Sequence, residues 1–320
     1  MSAEKPAALD GAPACKTILA SSVAKPYVEE VKKGIQQLGR RPKLVGFLAN
    51  TDPAARMYAE WTGKTFEDTG FSFELREVNK EELEDYIFHA NEDDSVDGIM
   101  IYFPVFGNRQ DQYLQQVVSK DKDVEGLSHV YIQNLYHNVR YLDDTKTNKS
   151  ILPCTPLALI KILEFLGVYN MVLPYGNRLY GKTVTIINRS EIVGRPLAAL
   201  LANDGAVVYS FDIDSVQKFT RGEGLKFRHH RVTDVDIKLE DVAQHSDVII
   251  TGVPSESYKF PTRLIKDGAV CVNFSTAKNF NMDVKTKASL YVASVGKVTI
   301  TMLMRNLIRL INNKASKNLV

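Results

Sequence analysis

The sequence predicts an α/β protein: two α/β domains with a cleft between them. Three observations carry that prediction. Strand-like apolar runs alternate with stretches of helical spacing along nearly all of the chain, the pattern of mostly parallel sheets covered by helices. At 320 residues the chain exceeds a typical single domain, so two hydrophobic cores are expected. In the third, an apolar run, Thr183–Ile187, passes through the turn Asn188-Arg189-Ser190 into the helix-like Gly194-Arg195-Pro196-Leu197. A strand, a short polar turn and a helix N-terminus place backbone N–H groups and a helix dipole where they can hold a pyrophosphate. The turn alone is a weak dinucleotide signal, because Asn188 stands where the first glycine of the usual Gly-rich turn would be.

Taken in order, residues 22–38 have helical spacing and Lys43–Leu48 is a buried-strand run. Asp52-Pro53 opens a helix with a capping acid and a proline at the first helical position; Gly70 ends it after Thr69. Residues 71–78 read as a strand, 80–90 as a helix, 98–102 as a strand and 111–118 as a helix. Residues 1–155 are thus expected to form the N-terminal domain. A helix over 157–166, started by Thr155-Pro156, links it to a second series with strands at 183–187, 207–211, 247–250 and 269–273. This second domain is expected to span 156–298.

The last helix, within 299–320, carries Leu303, Met304, Leu307, Ile308, Leu310 and Ile311, a broad apolar stripe that is expected to pack back onto the first domain. Residues 212–244 are long for a connection and hold a basic cluster: Lys218, Arg221, Lys226, Arg228, His229, His230 and Arg231. A charge run of this kind reads as a solvated insertion loop. The start, Met1 to Lys16, is rich in Ala and Pro, has no apolar core, and carries Glu4 and Asp10 but no Arg. It reads as a mobile arm rather than a secretory or mitochondrial leader.

Composition bounds the function classes. Apolar content of 44% and charged content of 24% are those of a globular protein. A net charge of +2 argues for neither a nucleic-acid nor a membrane partner, and no apolar run approaches the ~20 residues of a membrane helix. The three cysteines, Cys15, Cys154 and Cys271, are odd in number and far apart, so reduced thiols in the cytosol are expected. No Cys/His spacing suggests a metal site.

Co-linear motifs then narrow the reading: Val45-Gly46, Tyr58, Gly98 with Tyr102-Phe103-Pro104, Lys122-Asp123-Val124-Glu125-Gly126-Leu127, Pro153-Cys154-Thr155-Pro156, Arg189-Ser190 with Val193-Gly194 and Pro196, Thr251-Gly252 with Pro254, and Gly296 with Thr299. In this order the chain, from about Lys16 to Leu310, resembles the methylenetetrahydrofolate dehydrogenase/cyclohydrolase family. The resemblance implies a Rossmann-type C-terminal nucleotide domain, folate in the cleft between the two domains, and hydride transfer from 5,10-methylenetetrahydrofolate to a nicotinamide. It also implies a homodimer built through the nucleotide domain. Family members that also hydrolyse the methenyl product carry Tyr-x-x-x-Lys on the helix after the first strand. Here Tyr58 is followed four residues on by Thr62, on the same helix face and expected beside it in the cleft. A threonine hydroxyl does not titrate near neutral pH, and Lys64 lies roughly opposite, two residues at ~100° each. The family's partner glutamine is replaced by Tyr102. Both members of the hydrolytic pair are missing, so within the family the chain looks like the monofunctional, NAD-linked dehydrogenases of fungi.

By the same resemblance Tyr58 would stack on the folate, Glu125 would hydrogen-bond the pterin, and Phe103 and Pro104 would form the apolar wall of the slot. Cys154 would line the reacting end or serve as a plain buried thiol. On the cofactor side, Asn188, Arg189, Ser190, Val193, Gly194, Asp212 and Ile213 are expected at the pyrophosphate and adenosine, and Thr251, Gly252, Val253 and Pro254 under the nicotinamide ribose. Asp212 ends the strand about 24 residues after Asn188; an acid there accepts from ribose hydroxyls and repels a 2′-phosphate, which favours NAD. Arg189 is expected to pair with Asp212 or reach the pyrophosphate. The alternatives are a bifunctional dehydrogenase–cyclohydrolase with a relocated acid/base and a non-catalytic dinucleotide-binding protein. A shikimate-type dehydrogenase fits the architecture but would need a lysine/aspartate pair in the cleft, and the sequence offers no convincing candidate.

Overall fold

The computed structural model describes residues 15–317. Two sheets organise it. The smaller has the order β3–β2–β4, formed by Ser72–Glu77, Lys43–Leu48 and Gly98–Ile101, all parallel. Central β2 is buried from Leu44 to Leu48, because helices cover both faces of a parallel sheet. Helix α1 (Ala20–Leu38) precedes β2. Helix α2 (Pro53–Thr69) connects β2 to β3, with the Asp52 carboxylate accepting from the Ala54 N–H at 2.9 Å, Pro53 in the first turn, and Gly70 closing the helix at φ 108°. Helix α3 (Leu83–Glu92) leads into β4, followed by α4 (Arg109–Val117) and α5 (His129–Tyr136).

Helix α6 (Cys154–Phe165), apolar and buried from Pro156 to Ile160 and again at Ile162 and Leu163, leads into the larger sheet. Its parallel strands are β1 (Lys16–Thr17), β5 (Thr183–Ile187), β6 (Val207–Phe211), β9 (Val248–Thr251), β10 (Val270–Asn273) and β11 (Leu290–Val292). Helix α7 (Gly194–Asn203) joins β5 to β6, and the short α8 (Leu239–Ala243) precedes β9. The final helix α9 (Gly296–Lys317) belongs to two cores. Ile300, Leu303, Met304, Leu307 and Leu310 pack with Leu44, Phe66 and Phe71 of the first unit, whereas Val298 and Met302 pack with Val184, Ile250 and Leu159. Positions 318–320 of the expected final helix lie outside the described residues.

Two expectations are corrected. The arm expected over residues 1–16 lies mostly outside the described residues, but Lys16 and Thr17 form β1, an edge strand paired with β11 of the distant sheet. The expected insertion loop contains two strands, β7 (Val216–Thr220) and β8 (Arg231–Asp234), which extend the sheet antiparallel beyond β6 in the order β6–β7–β8. The cluster is only partly solvated. Phe219 is fully buried toward α7 while Lys218 turns outward, the alternation of a strand with one covered face. His230 is buried, stacked on Phe219 at 5.6 Å, with its N–H and Nδ1 against Asn203 Oδ1 at 2.9 and 3.1 Å. Arg221 is held by the Phe227 carbonyl and Asn177 Oδ1.

Burial, then the neighbouring His229, hold His230 well below the usual imidazole range, at about 4. The unfolded chain therefore binds the proton first, and stability supplied by neutral His230 is lost as pH falls from about 6.5 toward 4, about 2–3 kcal/mol in total. His230→Asn is expected to lower stability at pH 7 and to flatten the acid limb between pH 6.5 and 4. Urea midpoints across that window test it, and parallel wild-type and variant limbs would remove His230 from the account.

Candidate active site

Tyr58 and Thr62, one turn apart on α2, meet Tyr102 just past the end of β4. The Tyr58 ring stands edge-on to Tyr102 at 6.1 Å and to Trp61 at 6.5 Å. Thr62 differs from expectation: it is fully buried beneath the tyrosines, and its Oγ1 donates to the Tyr58 backbone carbonyl at 2.8 Å. The hydroxyl lies near both phenols without a well-formed bond to Tyr102, whose buried Oη has no hydrogen-bond partner among the described residues. Burial pushes both phenols up. Lys64 is exposed, away from this cluster.

Below the tyrosines two loops are locked together. Gly126, at φ 68°, lies so close to the chain at Leu152 and Pro153 that a β-carbon would fall 2.8 Å from the Leu152 carbonyl carbon. Helix α9 ties the same two loops: buried Asn306 donates Nδ2 to the carbonyls of Val124 and Leu152, both at 2.9 Å. This clamp sets Glu125 beside Cys154, the first residue of α6, close enough for each to influence Tyr58. Glu125 Oε2 accepts from the Ile101 N–H at 3.1 Å. Burial, partly opposed by that bond and reinforced by Asp123, pushes the Glu125 carboxyl up to about 8. A helix N-terminus ordinarily lowers a thiol, yet burial and then Glu125 push Cys154 up to about 12, which favours its neutral form.

Phe103 and Pro104, joined by a cis peptide bond, leave this cluster along the cleft. The Asn50 carboxamide holds them through the carbonyls of Tyr102 and Pro104, each at 2.9 Å, and Asp111 receives the N–H groups of Phe106 and Gly107 at 2.8 and 3.0 Å. Both line a cavity of ≈720 Å³ whose far wall is Glu191, Ile192 and Arg195, beside the opposing turn. The expected apolar wall thus faces the nucleotide domain.

In that turn Asn188 takes φ 127°, a region that asparagine tolerates better than most residues with a β-carbon, so it can stand where a glycine is usual. Its side chain ties two loops: Nδ2 donates to Gly252 O and Oδ1 accepts from Ser190 N–H, both at 2.8 Å. The close approach falls instead to Gly194, where a β-carbon would lie 2.0 Å from the Asn188 carbonyl oxygen. Val193 and Gly194 thereby open α7 directly against the turn. Thr251 ends β9 and Gly252 follows it; Val253 exchanges hydrogen bonds with Asn279 at 2.8 and 3.0 Å, with Pro254 next in the chain. Asp212 and Ile213 are exposed on the β6–β7 turn, and Asp212 Oδ1 accepts from the Ile213 N–H. Arg189 does not pair with Asp212. It donates to the Ser210 carbonyl at 2.9 Å and to the Ser215 hydroxyl, with no ion pair to Asp212 among the described residues.

Sequence reasoning missed the carboxamides that hold these loops, Asn50, Asn279 and Asn306. The signal for Asn306 was a polar residue inside the apolar stripe of the last helix.

Fold and turn together define the class: a two-domain α/β protein with a Rossmann-type nucleotide domain. Residues 18–125 match the tetrahydrofolate dehydrogenase/cyclohydrolase catalytic-domain model, and residues 153–223 match the NAD(P)-binding domain model of the same family. The chain is 64% identical to methylenetetrahydrofolate dehydrogenase [NAD(+)] of Schizosaccharomyces pombe, over 95% of each protein. It is 63% identical to the Saccharomyces cerevisiae protein of that name, over 93% of this chain and 96% of the relative. The solved structure of the NAD-dependent 5,10-methylenetetrahydrofolate dehydrogenase from S. cerevisiae matches with a TM-score of 0.90 at 62% identity, over 95% of this chain and 99% of that one. The chain belongs to the tetrahydrofolate dehydrogenase/cyclohydrolase family.

Asn306→Ala leaves two enclosed carbonyls without their donor, and an expected loss of about 2–4 kcal/mol in urea unfolding follows. A loss below about 0.5 kcal/mol would show that the clamp holds nothing.

Proposed function

We propose that this chain oxidises 5,10-methylenetetrahydrofolate to 5,10-methenyltetrahydrofolate with NAD and does not hydrolyse the product. The carrying observation is the α2 face at Tyr58. Where hydrolysis needs a group that takes and returns protons at neutral pH, this face presents the Thr62 hydroxyl bonded to its own helix, beside a Tyr102 phenol that burial keeps protonated. Hydride transfer asks for no such group. The C–H bond of the methylene carbon breaks with its electron pair leaving as hydride, and the folate nitrogen lone pairs stabilise the methenyl cation. Bound NAD supplies the acceptor, at its nicotinamide ring. The protein's part is orientation. In this reading Tyr58 offers a ring face to the folate, Glu125 takes the pterin edge, and Cys154 lines the reacting end as a neutral thiol.

The Asn188–Gly194 turn holds the pyrophosphate, with Thr251 to Pro254 beneath the nicotinamide ribose. Asp212, open at the end of β6, accepts from the adenosine ribose and repels a 2′-phosphate; Arg189, held by Ser210 and Ser215, is already occupied. The similarity to NAD-dependent fungal dehydrogenases supports the same choice. A homodimer is part of the reading, and the exposed outer edge of β8, all four residues open, is a surface suited to it. So is a cytosolic place in one-carbon metabolism that supplies purine synthesis; among the described residues no helix is long and apolar enough to cross a membrane.

A paired assay tests the proposal. The purified protein should reduce NAD on addition of 5,10-methylenetetrahydrofolate, use NADP at least ~10-fold less well, and leave methenyltetrahydrofolate hydrolysing at the buffer rate. Catalysed hydrolysis would replace this reading with the bifunctional one, and no oxidation with either cofactor would leave a binding protein. Asp212→Ser is expected to shift the NAD/NADP ratio of kcat/KM toward NADP by roughly 10-fold. An unchanged ratio removes Asp212 as the discriminator.

A further inference from the structure

Farther along α6 from Cys154, a cavity of ≈150 Å³ is bounded by α5, α6, α9 and the chain around Arg140 and Ser150. That is room for about five waters, and unlike an apolar packing defect it is lined by polar groups. Its lining is basic: Arg140, Lys149, Lys161, Arg178, Arg305 and Arg309 stand against only two carboxylates, Glu164 and Asp204.

Both carboxylates are already engaged. Asp204 accepts from Arg140 at 2.5 Å and from the Tyr169 hydroxyl at 2.9 Å, and Glu164 accepts from Lys161 at 2.7 Å. Arg305 turns to Glu30 at 2.8 Å. Arg178 lies with Arg140 against the Tyr175 ring. Two cations remain. Lys149, exposed at the cavity's edge, and Arg309, half-buried within it, have neither a side-chain hydrogen bond nor an ion pair among the described residues. Burial, then Arg305, push the Arg309 guanidinium down to about 10, which still leaves it charged at neutral pH. A cation enclosed among like charges costs stability until an anion joins it.

We propose that this cavity is a binding site for a phosphate group, held by Arg309 and Lys149. Glu30, which pairs with Arg305, also acts on Arg309 but forms no ion pair with it, and a guanidinium fork and an ammonium that no carboxylate holds are the donors that a tetrahedral dianion takes up best. The shared chemistry is the phosphate; its source is the free ion or a small phosphorylated metabolite. The site adjoins the folate cleft through one segment. Ser150 and Leu152 line the cavity, Leu152 leads to Cys154, and Arg309 stands about one turn beyond the Asn306 that holds the Leu152 carbonyl.

The test is thermal unfolding and isothermal titration calorimetry of the full chain with inorganic phosphate, pyrophosphate and ribose 5-phosphate. Ionic strength is matched with chloride, and NAD is kept saturating so that the dinucleotide turn is filled. At least one probe should raise Tm by roughly 2–4 °C. Lys149→Gln and Arg309→Gln should each weaken binding at least 10-fold, Arg309→Lys should restore part of it, and Arg189→Gln should leave it unchanged. Binding of inorganic phosphate identifies the free ion as sufficient; binding of ribose 5-phosphate alone identifies a phosphorylated metabolite. The proposal is overturned if no probe binds, if binding survives Lys149→Gln, or if it is lost in Arg189→Gln. Lys149 is exposed, so its variant remains a valid test even if Arg309→Gln does not fold.

Discussion

One carboxamide holds the two halves of the cleft floor in register. Asn306 donates to Val124 and to Leu152, carbonyls that belong to the loop bearing Glu125 and the loop bearing Cys154. Gly126 makes the arrangement possible by letting the two backbones approach within reach of a single side chain. Because Asn306 sits on α9, whose neighbouring residues are shared between two cores, the position of Glu125 relative to Cys154 depends on how both cores seat the last helix. A cleft made this way is fixed by packing far from its own surface, which is how a site without a metal cluster or disulfide keeps its geometry among the described residues.

Burial sets the electrostatics of that floor. Glu125, Cys154, Tyr58 and Tyr102 are all shifted toward their neutral forms, and desolvation is the leading cause for each. The Ile101 N–H, which favours the Glu125 carboxylate, does not outweigh the loss of water around it. No fixed charge in this floor stabilises the cationic character that grows on the folate, so the cation rests on the folate's own nitrogen lone pairs. Hydride transfer requires no proton exchange with a protein group, and of these four groups Glu125, at about 8, is the one that titrates near neutral pH. The replacement of a lysine by Thr62 therefore changes more than one side chain: it removes the charge that would make the neighbouring neutral groups expensive.

Parts of this were legible in the sequence because they are local. Asp52, Pro53 and Gly70 mark the ends of α2 by backbone rules that do not depend on the rest of the chain, and the apolar runs of β2 and β5 announce strands covered on both faces. The shared face of Tyr58 and Thr62 follows from helix geometry. What escaped was non-local. Strand β7 sets a single buried residue, Phe219, among polar neighbours and β8 is exposed throughout, a pattern indistinguishable from a solvated loop until α7 is known to cover one side of β7. Thr62 was placed on the right face, yet the choice of its hydroxyl between cleft and carbonyl is a rotamer outcome that no spacing records. Asn50, Asn279 and Asn306 each serve carbonyl or amide groups on a distant segment, and a single asparagine carries no periodicity to betray it.

Arg189 shows why a motif can match while its role changes. The residue follows Asn188, and an extended side chain from that place reaches the end of β6. What it meets there is set by the β6–β7 turn. In this chain the turn presents the Ser210 carbonyl and the Ser215 hydroxyl, both acceptors, so the guanidinium ties the turn to β5 and stiffens the backbone that carries Asp212. An arginine free to meet a phosphate and an acid poised to reject one would oppose each other at the same ribose. With its guanidinium engaged by backbone and hydroxyl oxygens, Arg189 supports the strand end on which the Asp212 carboxylate stands.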